Sequence, residues 1–315
     1  TTYLDHGNIL GYPDHYVQQM DRHPMDWVAE EMSRRGIASG TVGLEMDSYY
    51  FSPMGYEHLK SGLPNCTFQN GQGVVNWCRS IKSEAELAYM RDAARIIEHT
   101  MRIGIEAVTP GIRQCDAVAA IYEASIKGID GIGGDYPAIV PMLPTGFGAS
   151  TPHLTWSDAP FKTGEATILE LAGVRRRYHC PMARTVSLGK PPQKLQDASD
   201  VICDGIAAAL DAAKPGATCA EVELAWRRVL AKSGFEKESR IGYSVGLNYP
   251  PDWGEHTMSL RPGDETVIQP NMTFHMIPGL MLDDCGIEIS ECFRITETGS
   301  ECFYDFPRPM VVKDG

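Results

Sequence analysis

The sequence predicts a mixed α+β protein in two parts, a short αβ segment followed by a larger domain, and three observations carry that reading. Ile81 to Val108 shows the clearest helical period in the chain, opened by Ser83 and Glu86 in a capping-box spacing. Two stretches, AVTPGIRQCDAVAAIYEA and AAKPGATCAEVELAWRR, share one plan: a helix end, a Pro-Gly stop, then an amphipathic helix. Between them lies ILELAGVRRRYHCPMART, Ile168 to Thr185, which reads as two strands joined by a tight arginine turn, with one carboxylate, Glu170, in an otherwise apolar run.

Taken in order, the first twenty residues mix aromatics, Gly and Pro without period and read as loop. From His23 a helix is expected, with Pro24 in its first turn, Trp27, Val28 and Met32 on one side, and Gly36 as its stop. TVGLEMD reads as a strand, Tyr56 to Lys60 as a helix, and GVVNW as a second strand. Residues 1–79 thus form the end of a smaller N-terminal domain, and the boundary falls near Arg79, just before the long helix. In residues 80–315, helices are expected at 81–108, after Pro110-Gly111, across 193–213 and after Pro215-Gly216. Strands are expected at 168–185, in NMTFHMIPGLML and in CGIEISECFRITETG. The repeated Pro-Gly plan points to an internal duplication, two helix-rich halves facing each other across a sheet.

Composition narrows the function classes. At 315 residues the chain exceeds one small core, and 43% hydrophobic with 22% charged residues fits a folded soluble protein. A formal charge of −13 disfavours nucleic acid or an anionic membrane as partner, because both require clustered Lys and Arg. No apolar run reaches the roughly 18 residues of a membrane span, and no charged-then-apolar leader opens the chain, so the expected compartment is the cytoplasm. Nine cysteines, scattered without a CxxC pair, read as reduced thiols. The chain opens at Thr1, and an N-terminal piece is expected to precede it.

IKSEAELAYMRDAARI, PGIRQCDAV before a Gly-rich loop, the Arg184-Thr185 pair, PNM at Pro270 to Met272, and GIEISECFRITETGSE resemble, in that order, the creatinase, prolidase and methionine aminopeptidase superfamily. The resemblance covers everything from Arg79 onward and implies the pita-bread fold. It also implies a homodimer in which one N-terminal domain leans over the partner's site. The metal peptidases of the superfamily hold two metal ions with two Asp, one His and two Glu. Carried over position by position, those ligands fall at Glu170, Pro181, Tyr243, Ile277 and Glu288. Pro and Ile have no donor atom, so the reading is that no metal and no other cofactor is used, as in the creatinase branch.

A narrower resemblance rests on GGDYPAIVPMLPTG, HLTW, RYHCP, NYPPDWGE, TMSLRPGD and MTFH, and is to the ectoine hydrolases, which open a cyclic amidine. It implies a small zwitterionic substrate, hydrolysis to N-acetyl-2,4-diaminobutyrate, and a deacetylase acting next as functional partner. The chemistry needs carboxylates for the amidinium, a proton carrier, and a cation or other donors for the substrate carboxylate. Glu170 and Glu288 are the expected catalytic carboxylates, either pairing with the amidinium or attacking it; ordinary ion pairs with Arg184 or the arginine turn are the alternative. His153, which matches the creatinase active-site histidine, is the expected general acid/base.

Tyr243 is expected to touch substrate or to pack, and Arg184 to hold either the substrate carboxylate or Glu288. Asp252, Trp253 and Glu255 are candidates for the pocket mouth, with Trp156 and Tyr136 as apolar walls. His179 and His275 read as core or supporting histidines, and the RRR run as a solvated turn. Two other readings stand beside this one: a creatinase-like C–N hydrolase for a different small zwitterion, and a non-catalytic member serving as a binding protein.

Overall fold

A computed structural model describes residues 4–315, so Thr1 to Tyr3 of the expected N-terminal loop lie outside the described residues. The described chain forms two compact units, one up to Val75 and one from Asn76 to Gly315.

In the first unit, single 3-10 turns at His6–Asn8 and Asp14–Tyr16 interrupt an irregular lead. Helix α1 (Pro24–Arg34) starts where expected. His23 accepts from the Met25 N–H, the Asp26 carboxylate accepts from the His23 N–H, and Pro24 occupies a position needing no donor. Strand β1 (Ser39–Leu44), helix α2 (Pro53–Gly62) and strand β2 (Asn65–Asn70) form a crossover unit, which is why β1 and β2 pair in parallel. Ala29, Leu59 and Leu63 close its small core.

The strand expected at GVVNW is a short helix, α3 (Val74–Cys78). Val74 and Val75 favour extended backbone, but they are 62% and 54% exposed and have no neighbouring strand. A helical turn satisfies the backbone locally instead, as Arg79 and Ser80 donate back to the carbonyls of Asn76 and Trp77.

The second unit opens with helix α4 (Glu84–Ala107), whose capping box is the one the sequence announces: Ser83 and Glu86 exchange backbone and side-chain hydrogen bonds. Helix α5 (Gln114–Lys127) packs beside it, and both lie on the hairpin β3 (Ala166–Arg175) and β4 (Tyr178–Leu188). Close approach of α4 requires Gly173, because a Cβ there would sit 2.1 Å from the Ala93 carbonyl oxygen.

Helices α6 (Gln193–Ala212) and α7 (Cys219–Leu230) cover a second sheet. Its strands are β5 (Gly242–Val245), β6 (Gly254–Leu260), β7 (Thr273–Met276), β10 (Glu291–Ile295) and β11 (Ser300–Cys302), in the order β11-β10-β7-β5-β6. A two-stranded ribbon, β8 (Leu280–Met281) with β9 (Gly286–Ile287), lies between β7 and β10 in sequence, and β12 (Val311–Lys313) joins the far edge of β4.

Two helix pairs, each with its own buried cluster, therefore pack on sheet, and the strands fall in two main sheets rather than the single sheet expected between the halves. Each fully buried Leu, Ile or Phe in these clusters contributes about 1.5–3 kcal/mol of transfer free energy. Strand β6 was not expected, since its sequence GEHTMSL lacks a clear two-residue alternation. Among the described residues no helix is long and apolar enough to cross a membrane.

Candidate active site

Strand β3 is buried on both faces, which explains its almost unbroken apolar sequence and makes Glu170 its informative residue. Alternation sends Leu169, Leu171 and Gly173 toward α4, and Glu170, Ala172 and Val174 the other way. Across the hairpin Glu170 stands opposite Ala183 and Ala172 opposite Pro181, so Pro181 shares the Glu170 face.

The Arg-Thr pair at the end of this motif divides its labour between the two faces. Thr185 accepts from the Glu288 N–H at 3.1 Å and donates to the Glu288 carbonyl at 3.0 Å, fixing the backbone that carries the second carboxylate. Gly279 clears space for that side chain, as a Cβ there would lie 2.6 Å from Glu288 Cγ.

Glu170 and Glu288 meet in a pocket of about 240 Å³ lined also by Pro152, His153, Lys237, Ser239, Arg240, Tyr243, Ile277 and Met281. Burial, and then the charge of Glu288, push the Glu170 carboxyl well above the ordinary carboxylate range. Burial raises Glu288 to about 7, with Lys237 pulling the other way. The two carboxyls therefore retain a proton near neutrality and titrate as a pair.

Tyr243 forms the wall beside them. Its hydroxyl oxygen accepts from the Trp253 indole N–H at 2.7 Å and lies 3.0 Å from His275 Nδ1, across the β5–β7 register. Burial raises the phenol further, and the charge of Glu170 adds to the effect. His275 and His179 are fully buried and pushed down to about 3, chiefly by desolvation, so both are neutral. His179 Nε2 accepts from the Ala138 N–H at 3.0 Å.

His153 reaches the same pocket from an exposed turn with φ +67°, a left-handed conformation that histidine adopts more readily than most residues. The structure thus brings together four of the expected residues: His153, Glu170, Tyr243 and Glu288.

The other expectations are corrected. Arg184 touches neither Glu288 nor the pocket. Buried on the opposite face, it donates from Nε to Pro307 O, from Nη1 to the Ala183 and Ser290 carbonyls, and from Nη2 to Phe306 O and Glu291, which uses all five of its N–H groups. Glu255 is 2% exposed and bound to Lys82 Nζ at 2.8 Å, so it anchors the start of α4. Asp252 is occupied by His256 at 2.6 Å and by the Gly254 N–H. Trp253 is buried, does not line the pocket, and bonds to its wall at Tyr243.

Neither aromatic wall forms. Trp156 packs against the α4–α5 core, and Tyr136 is 54% exposed beneath the Arg177 guanidinium, whose carbon lies 4.1 Å from the ring centroid. The arginine turn is not fully solvated either. Arg176 and Arg177 both take positive φ in a two-residue hairpin loop, and Arg177 is held between Tyr136 and Tyr249 and bonded to the Asn248 carbonyl. Sequence reasoning missed Lys237 and Arg240, which line the pocket from the irregular segment before β5; nearness to Tyr243 in KESRIGY was the one available signal.

As a cradle for two metal ions the donor set fails. Of the five ligand positions, Pro181 and Ile277 offer no donor, and the Tyr243 hydroxyl is engaged by Trp253 and His275. Among the described residues no group of three or more His, Cys, Asp or Glu is placed to hold a metal ion.

Residues 88–297 match the model of metallopeptidase family M24. An ectoine hydrolase of Halomonas elongata is 48% identical over 99% of this chain and 80% of that protein. An uncharacterized hydrolase/peptidase of Sinorhizobium fredii is 43% identical over 100% of this chain and 80% of its own length. In fold, the X-Pro aminopeptidase of Thermotoga maritima superposes with a TM-score of 0.81 at 20% identity, over 96% of this chain and 85% of that one. The prolidase of Pyrococcus furiosus gives 0.77 at 24% identity, over 90% and 80%. The architecture is therefore the expected pita-bread fold, and the chain belongs to metallopeptidase family M24.

Proposed function

We propose that this chain is a metal-independent hydrolase that opens the cyclic amidine ring of ectoine to N-acetyl-2,4-diaminobutyrate. The observation that carries the reading is the buried Glu170–Glu288 pair, in a pocket also lined by Tyr243 and Ile277, with Pro181 on the same face of the hairpin as Glu170. The relative from Halomonas elongata supports the choice of substrate.

Two carboxyls that keep a proton near neutrality are matched to an amidinium: the bound cation takes the place of that proton and allows both groups to ionise. An oxygen nucleophile, water or a glutamate oxygen, adds to C2 while a carboxylate holds the ring N–H. With water as nucleophile, His153 takes one proton as the C2–O bond forms; the C2–N bond then breaks, His153 returns that proton to the departing nitrogen, and the hydroxyl left on C2 gives its remaining proton to the same nitrogen, so the products are an amide and an ammonium. If a glutamate attacks, loss of the ring nitrogen leaves an acyl imidate on that residue, which water cleaves to the same amide while the glutamate carboxylate is regenerated. Tyr243, oriented by Trp253 and His275, contacts substrate beside Glu170.

The same reading places the chain in the cytoplasm as a homodimer, upstream of a deacetylase. All nine cysteines are unpaired, in keeping with a reducing compartment. It further assigns residues 1–79 to the C-terminal part of a creatinase-type N-terminal domain and 80–315 to the catalytic domain.

Incubating the protein with ectoine, with and without a chelator, and following the products by NMR tests the proposal. Ring opening indifferent to chelator is expected. Inhibition by chelator, reversed by added metal, would refute metal independence, and absence of ring opening would refute the substrate. Intact-protein mass spectrometry of quenched reactions separates glutamate attack, which leaves an adduct, from attack by water.

A further inference from the structure

Building on that reading, we infer that Lys237 and Arg240 form an anion subsite at the rim of the pocket, which receives the substrate carboxylate and makes the cavity select zwitterions. Both residues lie in the irregular segment between α7 and β5, and both line the cavity that holds Glu170 and Glu288. Among the described residues they are its only Lys or Arg lining residues, and Arg184 has no donor left to offer.

Their partners leave them available. Arg240 donates from Nη1 to Ser259 Oγ at 3.1 Å, and its guanidinium carbon lies 4.6 Å from the Tyr243 ring centroid. Lys237 Nζ donates to Ser239 Oγ at 2.7 Å. Among the described residues neither cation has a carboxylate within ion-pair distance, whereas Arg184 and Lys82 are bound to Glu291 and Glu255. Stacking on Tyr243 and the bond to Ser259 hold the Arg240 fork in place, so little side-chain freedom is lost when an anion binds.

The pocket is consequently sorted by charge, with two buried carboxyls at its base and two cations, one half-buried and one exposed, at its edge. A zwitterion fits one way only, cation inward and carboxylate outward. A ligand lacking the carboxylate leaves the edge unpaired; one lacking the cation meets the carboxyl pair uncompensated. The same arrangement aims the amidine carbon at the glutamates.

The test compares ectoine with 2-methyl-1,4,5,6-tetrahydropyrimidine, the same ring without its carboxylate, on the parent protein, Arg240→Ala, Arg240→Lys and Lys237→Met. For ectoine, Arg240→Ala is expected to raise KM about 10- to 100-fold with kcat nearly kept, the range of a charge-assisted hydrogen-bond pair. The parent's preference for ectoine over the decarboxylated ring should shrink by the same factor, Lys237→Met should act in the same direction, and Arg240→Lys should restore part of the preference.

Equal losses on both substrates, or an undiminished preference in Arg240→Ala protein of unchanged melting temperature, would overturn the subsite. If the parent opens neither ring, the proposed activity has failed on its own. Calorimetric binding of the two compounds then decides the subsite separately: a carboxylate-dependent affinity that Arg240→Ala abolishes upholds it, and one unaffected by the substitution refutes it.

Discussion

The Tyr243 hydroxyl lies 3.0 Å from His275 Nδ1 while accepting the Trp253 indole N–H at 2.7 Å, inside a region where all three side chains are largely cut off from water. Tyr243→Phe strands two buried polar groups. It is expected to cost about 1–3 kcal/mol for each group left without a partner. A contact between the hydroxyl and the reacting ring adds a fall in kcat on the order of 10²-fold. Thermal melting and steady-state kinetics on one preparation separate the two effects; a lower melting temperature with unchanged kcat would restrict Tyr243 to packing.

The Glu288 carboxyl, raised by burial to about 7 from an ordinary 4.5, gives a signed pH prediction. Because the folded state holds this proton more tightly than the unfolded chain, its contribution to stability is greatest below pH 4.5 and falls as pH rises through 7. His179 and His275, depressed to about 3, act in the opposite sense and add stability as pH rises from 3 to their ordinary 6.5. Comparing Glu288→Gln with the parent reads out the carboxyl pair, because the variant loses the Glu288 proton and also the charge that raises Glu170. The variant should gain relative stability between pH 5 and 7.5 by on the order of 1–3 kcal/mol, measured by urea denaturation at several pH values. A gap independent of pH would show that Glu288 is an ordinary carboxylate in the folded protein.

His153 sits at φ +67°, so alanine would disturb backbone and chemistry together. Asparagine tolerates that conformation and cannot shuttle a proton at neutral pH. His153→Asn is expected to lower kcat by about 10²- to 10⁴-fold, the range for loss of a general acid/base, with the melting temperature unchanged. Near-normal turnover would remove His153 from the mechanism.

Arg184 and Glu291 are both buried, with Arg308 as a second cation on the same carboxylate. Arg184→Ala removes a donor from five acceptors, of which the Ser290 carbonyl keeps Tyr304 and Glu291 keeps Arg308, and should destabilise the fold by about 3–5 kcal/mol. Arg184→Lys should remain markedly destabilised, because an ammonium cannot reproduce the planar fork. Soluble yield and denaturation midpoint check this; a folded variant whose KM alone rises would return Arg184 to the substrate.

Gly173→Ala drives a methyl group into the Ala93 carbonyl and to 2.7 Å from Ile97 N, both backbone atoms of α4 that cannot rotate away. A loss of about 1–3 kcal/mol is expected from such overpacking, and a crystal structure of the variant should show α4 displaced from β3.

Legibility followed locality. The α4 capping box, the Pro-Gly helix stops and the β3–β4 hairpin were readable because each is a pattern of neighbours in sequence, and resemblance then placed Glu170, Glu288, Tyr243 and His153 in one cavity. GVVNW misled because a strand exists only if another strand lies beside it, and none does. Arg184 and Glu255 were charged residues near the site in sequence, but their partners, Pro307, Glu291 and Lys82, are more than 100 positions away in the chain. Lys237 and Arg240 follow no period, so only their nearness to Tyr243 in the chain pointed to the pocket.

By itself, then, the sequence determined most of the elements and the family, and it put side chains without a donor, Pro181 and Ile277, at two of the positions where the resemblance would have placed metal ligands. Only the tertiary structure decided which charges are free to act. A side chain's availability depends on what the rest of the fold has already bonded to it: Arg184 is fully used and buried, while Arg240 stands beside the pocket with donors to spare.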